Sequence, residues 1–254
     1  MPNFWNVVNK VIGEADVLLL VLDARMPELT RNREIESKIR RLGKKMIYVI
    51  NKCDLVGREE LEAMHKKYVP SVFVSGRDKL GGTLLFKQIM EASKGERCTV
   101  GVLGYPNTGK SSIINLLKGS KSARVSSFAG YTRGVQFFSA KNLKLIDTPG
   151  VLSFQEKDVE KKVLIGAVNP EDIDDPDVYA AKLIEMNPGL FEEYFAEKIE
   201  GNPAGFLERV ALKKNIIMKG NKPDIIRLAR TILKNWQTGK MHNGKTYKRS
   251  RRPS

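Results

Sequence analysis

The sequence contains few of the residues that build metal centres and disulfide frameworks. It has two cysteines and two histidines in 254 residues, and His65 and His242 are far apart. Two cysteines form no disulfide framework, which favours a reducing compartment, the cytoplasm. The longest apolar run, 17–22, is too short to cross a bilayer, and the first residues lack the pattern of a signal peptide. We therefore expect a cytoplasmic protein that does not enter membranes.

Acidic residues are also scarce relative to basic ones. Lysine and arginine total 44 against 29 aspartates and glutamates, so the formal net charge is +15. An enzyme that acts on small metabolites does not need this charge. A polyanionic partner, either nucleic acid or an anionic membrane surface, is the simplest explanation.

Short apolar segments alternate with helical patterns over the first 150 residues. Segments rich in β-branched residues predict six strands, at 17–22, 46–50, 72–74, 99–103, 135–138 and 143–146. Helices are predicted at about 31–41, 57–68, 81–93 and 110–118. This alternation predicts an α/β fold with a mainly parallel six-stranded sheet covered on both faces.

The pattern changes after Gly150, where helix-start and helix-stop signals follow one another. Asp175-Pro176 and Asn202-Pro203 open helices, and a last helix is predicted from Pro223 to Thr238. We expect an α/β domain at 1–154, a small all-helical domain at 155–238 and a disordered basic tail at 239–254.

A phosphate-binding loop follows the predicted strand 99–103. It reads Gly104-Tyr105-Pro106-Asn107-Thr108-Gly109-Lys110-Ser111 and leads into a helix. Glycines let the backbone wrap around phosphate oxygens, and the helix N-terminus faces the anion. Lys110 is expected to reach the β- and γ-phosphates and Ser111 to ligate Mg²⁺. The expected GTP contacts here are Tyr105, Pro106, Asn107, Thr108, Gly109, Lys110, Ser111 and Ser112.

The segment Asn51-Lys52-Cys53-Asp54 follows the predicted strand 46–50 and predicts selection of guanine. The Asp54 carboxylate can accept hydrogen bonds from guanine N1–H and the 2-amino group, and adenine offers neither. Lys52 would lie against the base plane, and Asn51 would brace neighbouring loops. Ser75 and Gly76, after strand 72–74, fit the loop that offers an amide to guanine O6.

Two further segments fit the switches that detect the γ-phosphate. Asp147-Thr148-Pro149-Gly150 ends strand 143–146, where Asp147 can hold Mg²⁺ through water and the Gly150 amide can contact the phosphate. Thr132, in a glycine-containing loop, would join Mg²⁺ when GTP is bound. Lys110, Thr132 and Gly150 are the residues expected to take part in hydrolysis.

These motifs stand in a rotated order, because the guanine motif precedes the phosphate loop. The order of Asn-Lys-x-Asp, Ser-Gly-Arg, Gly-x-Pro-Asn-x-Gly-Lys-Ser and Asp-Thr-Pro-Gly resembles the circularly permuted ribosome-assembly GTPases of the YlqF/YawG type. The resemblance is close from residue 14 to about 155 and looser beyond, where Trp236-Gln-Thr-Gly-Lys240 is similar to the family's closing segment. It implies GTP hydrolysis and a role in maturing the large ribosomal subunit.

The resemblance also implies how hydrolysis is helped. Asn107 matches the asparagine that helps to hold K⁺ near the phosphates in related GTPases. Val151 occupies the place of the water-orienting glutamine of Ras-like enzymes and cannot hydrogen-bond water. We therefore expect a slow intrinsic rate that a partner or K⁺ increases. The aromatic–Pro–Gly–His segment that often begins bacterial members is absent, so its histidine is not transferred.

Basic residues near the C-terminus form the predicted RNA-binding surface. A helical projection of 223–238 places Ile225, Ala229, Ile232, Leu233 and Trp236 together and the cations opposite. A one-sign face continued by a basic tail favours RNA phosphate contacts. The predicted contacts are Arg227, Arg230, Lys234, Lys240, Lys248, Arg249, Arg251 and Arg252.

The function predicted from the sequence is a monomeric GTP-hydrolysing switch, binding GTP or GDP with Mg²⁺, that times a step of large-subunit assembly on rRNA. One alternative keeps the GTPase but gives it another RNA, tRNA or mRNA. A second alternative is a non-catalytic RNA-binding module with a structural GTP.

Overall fold

The computed structural model of the protein describes residues 4–119, 136–140, 143–147 and 158–241. The chain divides into two compact units, Met1–Lys157 and Asp158–Ser254.

The first unit is built around one β-sheet. Its strands are β1 Val17–Asp23, β2 Lys45–Asn51, β3 Ser71–Phe73, β4 Cys98–Leu103, β5 Gln136–Ala140 and β6 Leu143–Asp147. Their order is β3-β2-β1-β4-β6-β5, and every pair is parallel except the antiparallel β5 and β6. All seven residues of β1 are buried, as expected for a parallel strand covered on both faces. The predicted α/β fold class is confirmed.

Helices pack around this sheet. They are α1 Phe4–Glu14, α2 Pro27–Thr30, α3 Arg33–Arg41, α4 Arg58–Lys67, α5 Gly82–Ala92 and α6 Lys110–Lys118. The sequence interpretation missed α1, although its buried Val8, Val11 and Ile12 recur at helical spacing. The predicted helix 31–41 begins instead at Arg33, because Asn32 caps it and accepts the Ile35 amide at 3.0 Å.

The second unit is mainly helical. Its helices are α7 Val159–Leu164, α8 Pro176–Met186, α9 Pro188–Phe195, α10 Pro203–Lys213 and α11 Ile225–Gln237. Trp236 of α11 is the large side chain at the centre, and its indole N–H donates to the Leu164 carbonyl at 3.1 Å. No helix in the described ranges is long and apolar enough to cross a membrane.

Candidate nucleotide-binding site

The predicted nucleotide motifs meet at the carboxyl edge of the sheet. Strands β2, β1 and β4 are neighbours and run parallel, so their C-terminal loops emerge side by side. Asn51 ends β2, Asp23 ends β1, and the phosphate loop follows β4. The edge beyond the carboxyl ends of parallel strands is where open α/β sheets bind ligands.

The phosphate loop has the geometry that its sequence predicts. Asn107 has φ +58° and Gly109 has φ +93°, and Gly109 immediately precedes α6. The Lys110 ammonium and the Thr108 hydroxyl both donate to the Tyr105 carbonyl at 2.9 Å. These bonds hold Lys110 across a tight loop that ends at a helix N-terminus, the arrangement suited to phosphate.

Asn51 joins three loops at this edge. Its amide nitrogen donates to the Thr108 carbonyl at 2.7 Å, and its amide oxygen accepts the Gly76 N–H at 3.1 Å. The side chain is buried, so both bonds form away from water, where an unpaired amide would be costly. Asn51 therefore braces the guanine motif, the phosphate loop and the Ser75-Gly76 loop against one another.

Two glycines permit this close packing. A Cβ atom on Gly109 would lie 2.1 Å from the Asn51 amide nitrogen, and a Cβ on Gly76 would lie 2.5 Å from the Ser112 Cβ. Gly109 also has the positive φ that glycine adopts without strain. Residues with side chains would separate the loops at both positions.

Asp54 is a buried carboxylate that pairs with a partly exposed arginine. Its side chain is 5% exposed, and its Oδ2 lies 2.7 Å from Nη2 of Arg77, which is 50% exposed. The guanidinium presents N–H donors to the carboxylate, and a guanine edge presents N1–H and 2-amino donors in the same way. The geometry therefore shows a carboxylate positioned to accept hydrogen bonds from an N–H donor edge.

Comparison with known proteins agrees with this geometry. Residues 99–185 match the family model of the 50S ribosome-binding GTPases. The chain is 42% identical over 245 residues to an uncharacterised GTP-binding protein of Methanocaldococcus jannaschii, covering 93% of this chain and 65% of that protein. It is 34% identical to nucleolar GTP-binding protein 2 of Yarrowia lipolytica, covering 93% of this chain and 49% of that protein.

Solved structures resemble the whole chain. GNP-bound YlqF from T. maritima has a TM-score of 0.63 at 25% identity, with 93% of this chain and 94% of that chain covered. A GDP-bound YlqF structure has a TM-score of 0.66 at 25% identity, with 96% and 98% covered. The chain is therefore similar, over nearly its full length, to the circularly permuted GTPase YlqF. It spans 65% of the archaeal relative and about half of the fungal one.

The sequence analysis missed one residue of this site. Asp23 accepts the Lys52 ammonium at 2.7 Å and the Arg25 guanidinium at 3.0 and 2.7 Å. Burial alone would raise the pKa of Asp23, but the charges and hydrogen bonds of Arg25 and Lys52 hold this pKa well below its usual range. Asp23 is therefore ionised and fixes the ammonium end of Lys52, the side chain expected against the base.

Only part of the predicted switch region lies within the described residues. Asp147 ends β6 and pairs with Val102 of β4, so its backbone lies beside the strand that leads into the phosphate loop. Thr132 and Gly150 lie outside the described residues, as do Val151 and the predicted tail contacts Lys248, Arg249, Arg251 and Arg252.

The predicted RNA-binding helix needs one correction. In α11, Arg227 and Lys234 are exposed, as is Lys240 beyond it. Arg230 was predicted on the same outer face, but its side chain is 35% exposed and its Nε lies 3.8 Å from a Glu171 carboxylate oxygen. The helical projection could not include Glu171, which a separate turn at Pro170–Asp172 brings to this helix. The buried face consists of Leu228, Ala229, Ile232, Leu233 and Trp236.

Proposed function

We propose that this chain is a GTP-hydrolysing switch that binds rRNA of a large ribosomal subunit or its precursor and times a step of assembly. The observation that carries the proposal is the Asn51 brace, which joins the guanine motif to the phosphate loop despite their rotated order in the sequence. The match of residues 99–185 to the 50S ribosome-binding GTPases supports the choice of partner.

Each side chain of the proposed site has one task. Asp54 and Lys52 bind guanine, the amides of 104–109 and Lys110 hold the phosphates, and Asn51 keeps both loops in register. Ser111, Thr132 and Asp147 would hold Mg²⁺, which would neutralise phosphate charge. Gly109, where a Cβ would meet the Asn51 amide, keeps the phosphate loop packed on the guanine motif. Asn107, whose φ of +58° belongs to the same loop, is the proposed K⁺ residue.

The rotated order gives the switch a route to the second unit. Strand β6 ends at Asp147, and the chain then runs through Gly150 to the second unit, which begins at Asp158. In this proposal, movement of Gly150 with the γ-phosphate passes along the chain to the helical unit. Nucleotide state would then shift the population of RNA-binding conformations.

Single-turnover phosphate release from GTP tests this function. Because Val151 cannot orient water, we expect a rate on the order of 10⁻³ s⁻¹ or slower alone, and at least roughly tenfold faster release with large subunits. Lys110→Met should abolish both rates. If large subunits are bound without acceleration and the isolated rate is no higher than that of Lys110→Met, the chain is an RNA-binding module with a structural GTP. Acceleration by tRNA or mRNA instead of large subunits would favour the other alternative.

The same assay in K⁺ and in Na⁺ tests the ion proposal separately. We expect faster hydrolysis in K⁺, and the preference should disappear in Asn107→Ala while nucleotide binding persists. Equal rates in both salts for the unaltered protein would contradict a K⁺ site and leave the GTPase proposal intact.

A further inference from the structure

Positive charge is distributed unevenly between the two units. Residues 1–157 contain 26 basic and 15 acidic residues, whereas 158–254 contain 18 basic and 14 acidic residues. Within the second unit, residues 158–212 contain 5 basic and 13 acidic residues, but 213–240 contain 8 basic residues and one acid, Asp224. Within the described part of the second unit, a polyanion attracted by charge would therefore approach the segment 213–240.

The centre of this segment is a β-hairpin that joins α10 to α11. Ile217 and Pro223 form an antiparallel bridge, and the Met218 N–H donates to the Lys222 carbonyl at 2.8 Å. Gly220 and Asn221 have φ of +83° and +59°, the conformation that glycine and asparagine tolerate best and that closes a tight turn. We call residues 216–224 the basic hairpin.

Both ends of the basic hairpin are anchored. At its first residue, the Ile216 N–H donates to the Ala211 carbonyl at 2.8 Å across the end of α10. At its last residue, the Asp224 N–H donates to the Ile216 carbonyl at 2.9 Å. The Asp224 carboxylate caps α11 by accepting the Arg227 backbone N–H at 3.0 Å. The one acid of the segment is therefore engaged in holding the hairpin on the helix.

Cations on and beside the hairpin differ from several others in the described part of this unit. Lys198, Arg209 and Lys213 each lie within 3.2 Å of Glu192 or Glu197. Lys219 and Lys222 are exposed and, within the described part of the chain, neither forms an ion pair with a carboxylate. The same holds for the exposed Lys214 and Arg227. Four cations thus face solvent around an ordered turn.

We propose that the basic hairpin contacts the phosphate backbone of double-stranded RNA through Lys219 and Lys222. This inference rests on the proposed function and names a contact that the exposed face of α11 does not include. Lysine ammonium groups bind phosphate as point charges, without base recognition. A two-stranded hairpin is about 5 Å across its backbone, so it can lie over the wide, shallow minor groove of A-form RNA, where shape and phosphates are read.

The salt dependence of RNA binding tests the hairpin directly. Full-length protein is titrated with a 20-base-pair RNA duplex at KCl concentrations from 50 to 200 mM, by fluorescence anisotropy. Each phosphate contact contributes about 0.9 to the slope of log affinity against log salt. In Lys219→Gln/Lys222→Gln, the fall in affinity across this range should therefore be about tenfold smaller than in the unaltered protein.

Two controls make the result specific. Lys66→Gln/Lys87→Gln removes the same charge from exposed helix positions of the first unit and should keep the original slope. Lys219→Arg/Lys222→Arg keeps the charge and should also keep the slope. Thermal melting of every variant, monitored by circular dichroism, should coincide with that of the unaltered protein, because both lysines are exposed.

The proposal is overturned if the Gln variant keeps the original slope, or if the first-unit control loses as much of it. It is also overturned if the Gln variant loses binding to polyglutamate but keeps its RNA slope, which would indicate an acidic protein partner. GTP hydrolysis measured on the same preparations distinguishes the hairpin proposal from the proposed function. The hairpin variant should hydrolyse GTP normally. Failure of the unaltered protein to hydrolyse GTP would contradict the proposed function instead.

Discussion

Replacing Asp54 with asparagine should reverse the base preference of the site from guanine to xanthine. The Asp54 carboxylate accepts two donors from guanine, whereas an asparagine amide would place its own donor against one of them. Its amide nitrogen can instead donate to the 2-oxo group of xanthine. Each hydrogen bond to a charged group contributes about 1.5–3 kcal/mol, so we expect a loss of GTP affinity of roughly 100-fold or more together with preferential XTP binding.

Asp78 provides the matched control for this substitution. It also pairs with Arg77, at 3.3 Å, but its side chain is 44% exposed, whereas that of Asp54 is 5% exposed. Asp78→Asn removes the same charge from the same cation and should leave the preference for GTP over XTP unchanged. Calorimetric titration with both nucleotides measures the effect. Unchanged relative affinities in Asp54→Asn would show that Asp54 does not bind the base.

Gly109→Ala should weaken nucleotide binding strongly. The new Cβ would lie 2.1 Å from the Asn51 amide nitrogen, so Asn51 must move and release the Thr108 carbonyl, to which it donates at 2.7 Å. Alanine at φ +93° would add backbone strain of about 1–3 kcal/mol. Because the phosphate loop and guanine motif would lose their common brace, we expect GTP affinity to fall by roughly 100-fold or more, as for loss of several charged hydrogen bonds.

Gly95→Ala is the control that separates the steric clash with Asn51 from the backbone strain of alanine at positive φ. Gly95 has φ +81°, but nothing lies within 4 Å of where its Cβ would be. This variant should have a slightly lower melting temperature and bind GTP like the unaltered protein. If Gly109→Ala binds GTP as tightly as Gly95→Ala does, the Asn51 brace is not needed for nucleotide binding.

The sequence predicted the parts of this site that depend on local signals. The buried strands before Asn51 and Gly104 are short apolar runs bounded by turn residues, and the loops after them have recognisable chemistry. Because parallel strands present their carboxyl ends at one edge, the predicted fold class also predicts that these loops meet there. The break at Asn32 and the helix α1 were missed, although capping and helical periodicity signalled both.

Interactions between distant segments could not be predicted in the same way. The role of Asp23 depends on β1 lying beside β2, which brings Lys52 within 2.7 Å of its carboxylate. The ion pair of Arg230 involves Glu171, which is far away in the sequence. The basic hairpin was missed because Gly220-Asn221 is only a turn signal until the bridge between Ile217 and Pro223 is known.

The central claim is that bound nucleotide controls affinity for the large ribosomal subunit. Co-sedimentation of the full chain with large subunits, in a non-hydrolysable GTP analogue and in GDP, tests it most directly. A typical coupling of about 1–3 kcal/mol predicts affinities that differ roughly 5- to 150-fold between the two states, with subunits changing nucleotide affinity by the same factor. Identical affinities in the two states would contradict the switch and describe an RNA-binding protein that merely contains a nucleotide.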